Sequence, residues 1–213
     1  MKKLMQSCGF AALVQLSSIA KISFIVGSYT AWFSAASIMA PLAGLFGGVF
    51  GASVVFIFRV ALHYIIFKTI SLKFLAFCIP GFCASLYFAS RSSIIRVIVP
   101  LVCMVLFIVH PVGNQAFFYS FYWFIPIVLF FMKRETLFMQ ALGSTFVAHA
   151  VGSVIWLYTV PMTATMWMAL IPIVALERFV FAMGMVVVCK SAVLFKKSIF
   201  GKLLRLRSVQ TSA

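Results

Sequence analysis

The sequence predicts an all-α fold: one polytopic bundle of six to eight transmembrane helices over residues 1–193, followed by a basic tail over 194–213. Three observations predict it. First, 65% of the 213 residues are hydrophobic and only 9% are charged, against roughly a quarter charged in soluble domains. Second, the mean hydropathy is +1.19, too apolar for a chain of this size to cover with polar surface. Third, the stretches 22–58, 97–132 and 136–176 contain no Lys, Arg, Asp or Glu. Each exceeds the roughly 20 residues that cross a hydrocarbon core, so each is expected to fold back on itself.

Taken in order, the elements justify themselves by where the apolar runs break. Met1, Lys2 and Lys3 precede a modestly apolar run that ends at Lys21. That pattern is shared with signal peptides, but the rest of the chain is membrane-like, so a retained first helix over 4–21 is expected. Within 22–58, Pro41 and the glycines 44, 47, 48 and 51 break the pattern, giving helices over 28–46 and 49–67. The first two helices of the chain, 4–21 and 28–46, have the weakest signals, and either fits an interfacial or re-entrant segment. A helix over 72–90 follows. Within 97–132, His110, Pro111, Gly113 and Asn114 form a turn signal, because Pro fixes φ, Gly frees it and Asn bonds its own backbone. The flanking helices are 95–110 and 115–132. Pro161 and Thr163 do the same between helices 136–159 and 165–189.

The net charge of +15, with two acidic residues, raises nucleic acid as a partner and is better explained by the membrane. With the N-terminus and the tail in the cytoplasm, that side receives Lys2, Lys3, Arg91, Arg96, Lys133, Arg134 and the basic tail. The outside receives Lys21, Lys68, Lys73 and the uncharged turns at 110–114 and 160–164. That asymmetry is the positive-inside pattern of a multi-pass protein of the cell (inner) membrane, and no nucleic-acid partner is expected. In the tail, Phe195, Ile199, Leu203 and Leu206 recur at helical spacing among lysines and arginines. This fits a helix lying on an anionic leaflet.

Catalysis finds no support. There is no Walker lysine loop, GxSxG or HExxH, and two glutamates without any Asp leave little for acid–base or metal chemistry. Neither a cofactor nor a metal is expected. The five cysteines lie in apolar surroundings, and Cys78 and Cys83 lack a metal-type spacing. They read as small hydrophobes. Glu135, beside Lys133 and Arg134, reads as a surface charge.

Ionisable residues at membrane depth are costly and mark function by default. Arg59 and His63 lie four apart and share a helix face; Glu177 and Arg178 fall inside the last helix. An ion pair of Glu177 with Arg59 or Arg178 is the structural alternative. On helix 136–159, Thr145, His149, Ser153 and Trp156 form one stripe, with Gly152 beside it. Such a stripe lines a cavity or makes a packing seam. His110 and Asn114 on the outer turn, with Tyr119, Tyr122 and Trp123 after it, supply hydrogen-bonding groups and flat walls, or else an interfacial aromatic belt. These residues together outline an expected solute site in the outer half of the bundle.

The segment Pro-Leu-Ala-Gly-Leu-Phe-Gly-Gly-Val-Phe-Gly-Ala at 41–52 resembles the substrate-binding S-components of energy-coupling-factor transporters, and the size, basic character and uncharged outer turns are also similar. The resemblance covers about residues 30–60. It implies capture of a vitamin, a nucleobase-like compound or a metal ion on the outer side, with a separate transmembrane scaffold and ATPase subunits as partners. Family members often carry an Ala-xxx-Ala pair on the first helix for docking the scaffold; here the nearest match is Cys8 and Ala12. Rod-shape morphogenesis proteins of the MreD type are similar in size, so a membrane scaffold without a ligand is the second reading. Paired polar residues and a filled interior would favour it.

Overall fold

The computed structural model describes residues 2–24 and 32–210, and the side chains of residues 3–22 and 33–194. Helices α1 (Lys2–Ser17), α2 (Ala36–Met39), α3 (Leu42–Phe67), α4 (Leu72–Ala89), α5 (Val99–Val109), α6 (Pro111–Gln115), α7 (Phe124–Phe131), α8 (Leu137–Thr159) and α9 (Ala164–Gln210) dominate it. Strands β1 (Lys21–Phe24) and β2 (Trp32–Ser34) pair antiparallel between α1 and α2, with a bulge between Lys21 and Ser23. Among the described residues the fold is therefore all-α apart from one short hairpin.

Among the described residues four helices are long and apolar enough to cross a membrane: Leu42–Phe67, Leu72–Ala89, Leu137–Thr159 and Ala164–Leu194. The runs Ile94–Val109 and Phe117–Phe131 are apolar but shorter. The residues 28–46 do not form the helix expected of them. Their described part is β2, α2 and the start of α3, and 28–31 lie outside the described residues. The glycine run does interrupt the backbone, but as a kink. Gly48 takes φ 61° and ψ −155° inside α3, a conformation only glycine adopts freely. The helix resumes at once, so 42–67 is one element rather than the end of one span and the start of another.

Close approach of small residues holds the long helices together. Gly44 of α3 lies against the backbone of Ser85 and Ala89 on α4, where a Cβ would overlap the Ser85 carbonyl. Ser85 Oγ donates to the Ala40 carbonyl at 2.7 Å, and Ser144 Oγ of α8 donates to the Ala84 carbonyl at 2.9 Å. Such contacts substitute for a hydrophobic driving force that lipid does not supply.

The turns sort to two ends. Arg91 Nη2 donates to the Phe130 and Met132 carbonyls, so the turns near 90 and 132 share one end. His110 packs edge-on against Tyr158, whose hydroxyl donates to the Leu106 carbonyl, so the turns near 110 and 160 share the other.

Glu135 corrects the surface reading given above. Its side chain is only 5% exposed, and Arg96 Nη1 donates to both of its oxygens at 2.8 and 2.7 Å. Arg96 Nη2 donates to the Tyr87 carbonyl at 2.8 Å, its guanidinium lies 4.0 Å from the Tyr87 ring centre, and the Tyr87 hydroxyl donates to Glu135 at 3.3 Å. Local sequence chemistry positions the arginine. Pro100 lacks the N–H that would bond the Arg96 carbonyl and crowds that carbonyl with its ring. The preceding turn, Ile94–Ile98, is accordingly widened to a π-turn.

Helix α9 continues through the tail to Gln210. The amphipathic face expected from Phe195, Ile199, Leu203 and Leu206 lies outside the described side chains.

Candidate functional site

Four helices each turn one stripe toward a shared interior cavity of about 470 Å³. From α3 come Arg59, Leu62, His63 and Ile66; from α4, Phe74, Phe77, Pro80, Gly81 and Ala84. From α8 come Thr145, Ala148, His149, Gly152, Ser153 and Trp156; from α9, Trp167, Leu170, Val174, Glu177, Arg178, Phe181 and Met185. The three- and four-residue steps are those of single helix faces. Val14 and Gln15 of α1, Ser18 just after it, and residues within 33–41 add to the wall. The size falls within the usual range of small-molecule pockets, roughly 300–1,000 Å³.

The polar groups in this wall are unevenly satisfied. Ser153 Oγ and Tyr119 Oη share a hydrogen bond at 3.3 Å, and Thr145 Oγ1 donates back to the Leu142 carbonyl. Trp156 Nε1 points at Met162 Sδ, 3.0 Å away, and its ring meets Phe77 edge-on. His63 stacks on Phe74 with ring centres 3.6 Å apart. By contrast, His149 Nε2, Trp167 Nε1 and Arg178 Nε are buried and have no hydrogen-bond partner among the described residues. Arg178 is 4% exposed. Its Nη2 reaches Glu177 Oε2 only at 3.5 Å, and its guanidinium lies 4.9 Å from the Phe33 ring and 4.7 Å from the Phe181 ring. The expected partnership of Glu177 with Arg178 is thus present, and it is long.

Of the residues singled out from sequence, Tyr119, Thr145, His149, Ser153, Trp156, Arg59, His63, Glu177 and Arg178 line this one cavity. His110, Asn114, Tyr122 and Trp123 are not brought to it. His110 Nδ1 accepts from the Val112 amide and caps α6, and Asn114 Nδ2 donates to the Ile108 carbonyl. Those groups are spent on the turn itself. His110 instead borders a second, more open hollow with Tyr158 and Pro161. The Tyr122 hydroxyl donates to the Ile171 carbonyl at 2.8 Å, tying the aromatic run to α9. Trp123 is fully buried edge-on against Phe107. The cavity therefore lies among α3, α4, α8 and α9 rather than under the 110–114 turn.

Sequence reasoning missed Trp167, Phe33 and Phe181. In a chain with 25 Phe and 4 Trp, an aromatic residue carries no signal of its own. The helical step from Glu177 and Arg178 back to Val174 and Trp167, and on to Phe181, is the signal that finds two of them. Among the described residues no group of three or more His, Cys, Asp or Glu is placed to hold a metal ion.

No family model, no curated protein and no solved structure matches this chain.

Proposed function

We propose that this chain is an integral protein of the cell membrane that captures a small organic solute in the cavity among α3, α4, α8 and α9. It acts as the substrate-binding subunit of an uptake system whose scaffold and ATPases are separate polypeptides. The four long helices and the two shorter apolar runs are read as six crossings, with both termini on the cytoplasmic side. That places the Arg91, Lys133 and Arg134 end inside, as charge asymmetry requires.

The observation that carries this reading is the coincidence of an interior cavity with buried donors on its wall; Arg96 Nε and Trp123 Nε1, away from the cavity, also lack a partner among the described residues, so orphaned donors alone do not carry it. Voids and orphaned buried donors each destabilise a fold by about 1–3 kcal/mol. Both together in one place are what a binding site retains and a scaffold has no use for. The second reading, a morphogenesis scaffold of the MreD type, draws support from the Arg96–Glu135–Tyr87 cluster, where every charge is paired.

Thermal unfolding of the purified protein in lipid nanodiscs, against a panel of vitamins, nucleobases and related solutes, tests the reading. A captured solute at a hundredfold excess over its Kd adds about 2.7 kcal/mol and raises Tm in a dose-dependent way. A flat response to every solute, with co-purification of cell-wall synthesis proteins, favours the scaffold.

A further inference from the structure

We propose that the cavity is built for a flat organic monoanion whose carboxylate is bound by Arg178. The inference deepens the capture reading and rests on it.

A guanidinium has five N–H donors in a fixed fork and no acceptor. Burying one is strongly unfavourable unless it is paired and hydrogen-bonded. Arg178 is buried with its Nε unpartnered among the described residues, and its contact with Glu177 is 3.5 Å, at the limit of a hydrogen bond. Phe33 and Phe181 lie within cation–π distance of the guanidinium, and such rings offer nothing to its N–H edge. Among the described residues, Nε on that edge has no acceptor and Nη2 has the long contact to Glu177.

Two further groups on the same wall share the deficit, Trp167 Nε1 and His149 Nε2. An indole N–H only donates, and Nε2 of a histidine donates in one tautomer. A carboxylate answers the arginine, because its two oxygens accept about four hydrogen bonds and match the guanidinium fork; Trp167 Nε1 and His149 Nε2 are left for other polar groups of the ligand.

Charge limits the ligand to a single negative charge. Among the described residues two arginines line the cavity against one glutamate, a formal excess of one positive charge from these side chains. A phosphate dianion would exceed that excess and sit beside Glu177. The body of the ligand is set by Tyr119, Trp156, Phe77 and the stacked His63–Phe74 pair, whose faces suit a flat ring.

Isothermal titration calorimetry on the full chain in nanodiscs tests this with matched acids and amides: benzoate with benzamide, nicotinate with nicotinamide, and 4-hydroxybenzoate with its amide. The proposal expects at least one acid to bind about tenfold or more tighter than its amide, a difference of about 1.4 kcal/mol. Arg178→Gln is expected to abolish the preference and Arg178→Lys to keep part of it. Amides that bind as well as their acids overturn the carboxylate assignment and leave the capture reading standing. So does a preference that survives in folded Arg178→Gln protein. No saturable binding of either series up to about 10 mM, a Kd weaker than roughly −3 kcal/mol, overturns both. Should Arg178→Gln fail to fold, the acid–amide comparison in the wild-type chain decides alone.

Discussion

Two ionic contacts with very different geometry make the residue scale informative. Arg96 and Glu135 meet through two bonds of 2.8 and 2.7 Å, with side chains 4% and 5% exposed. Removing one partner of such a buried pair leaves an uncompensated charge and costs about 3–5 kcal/mol, whereas replacing both with apolar residues costs far less. Glu135→Gln should therefore lower Tm in detergent by many degrees, and the double variant Arg96→Met with Glu135→Leu should recover much of the loss. A double variant worse than the single one would show that the pair itself, rather than an orphaned charge, carries the stability. Glu177 and Arg178 are neighbours in sequence and meet at only 3.5 Å. Adjacent helix positions do not face each other, so their coupling is weaker.

Small residues decide how close the helices come. Gly143 of α8 lies under the Tyr87 hydroxyl and Gly44 of α3 lies under the Ser85 carbonyl, and a Cβ at either would overlap its neighbour. Gly44→Ala must push backbone from backbone, so it should destabilise by about 1–3 kcal/mol, the usual cost of overpacking. Gly9, with open space around it, provides the control: Gly9→Ala in α1 should be neutral or stabilising, as helix propensity favours Ala. Equal Tm values for the two variants would dismiss the close approach of α3 and α4. Element by element, the helices 72–90, 95–110 and 136–159 and the start of the last helix were legible because charged or proline-containing turns bracket them, whereas the helix expected over 115–132 is a 3₁₀ stretch, Phe117–Trp123, followed by the short α7. The expected 136–159 and the observed Leu137–Thr159 differ by one residue at one end. The stretch 22–46 was not legible. In an almost wholly apolar run, neither the alternation of a strand nor the end of a helix stands out, so the hairpin of β1 and β2 left no mark. The same logic explains the site. Polar residues at helical spacing, such as Thr145, His149 and Ser153, stand out against an apolar background, whereas Trp167 and Phe33 do not. His110 and Asn114 looked available because sequence alone does not reveal that their turn already uses them.

At the scale of the whole molecule, orientation and capture are the two claims. In a Cys-free variant, single cysteines at Asn114 and Lys133, both exposed, should respond oppositely to an impermeant thiol reagent on intact cells. Asn114→Cys should be labelled and Lys133→Cys protected; the reverse pattern would turn the protein over in the membrane. The cavity among four helices is the centre of the account, and a single set of affinities tests it most directly. The tightest-binding solute of the nanodisc panel is titrated into His149→Ala, Trp156→Ala, His110→Ala and Asn114→Ala, each first checked for folding. Loss of affinity by about tenfold or more, around 1.4 kcal/mol, is predicted for His149→Ala and Trp156→Ala, whose side chains line the cavity. His110→Ala and Asn114→Ala, which only hold their own turn, should leave affinity unchanged. Full affinity in the first two variants with loss in the second two would contradict the account and move the site to the turn at 110–114.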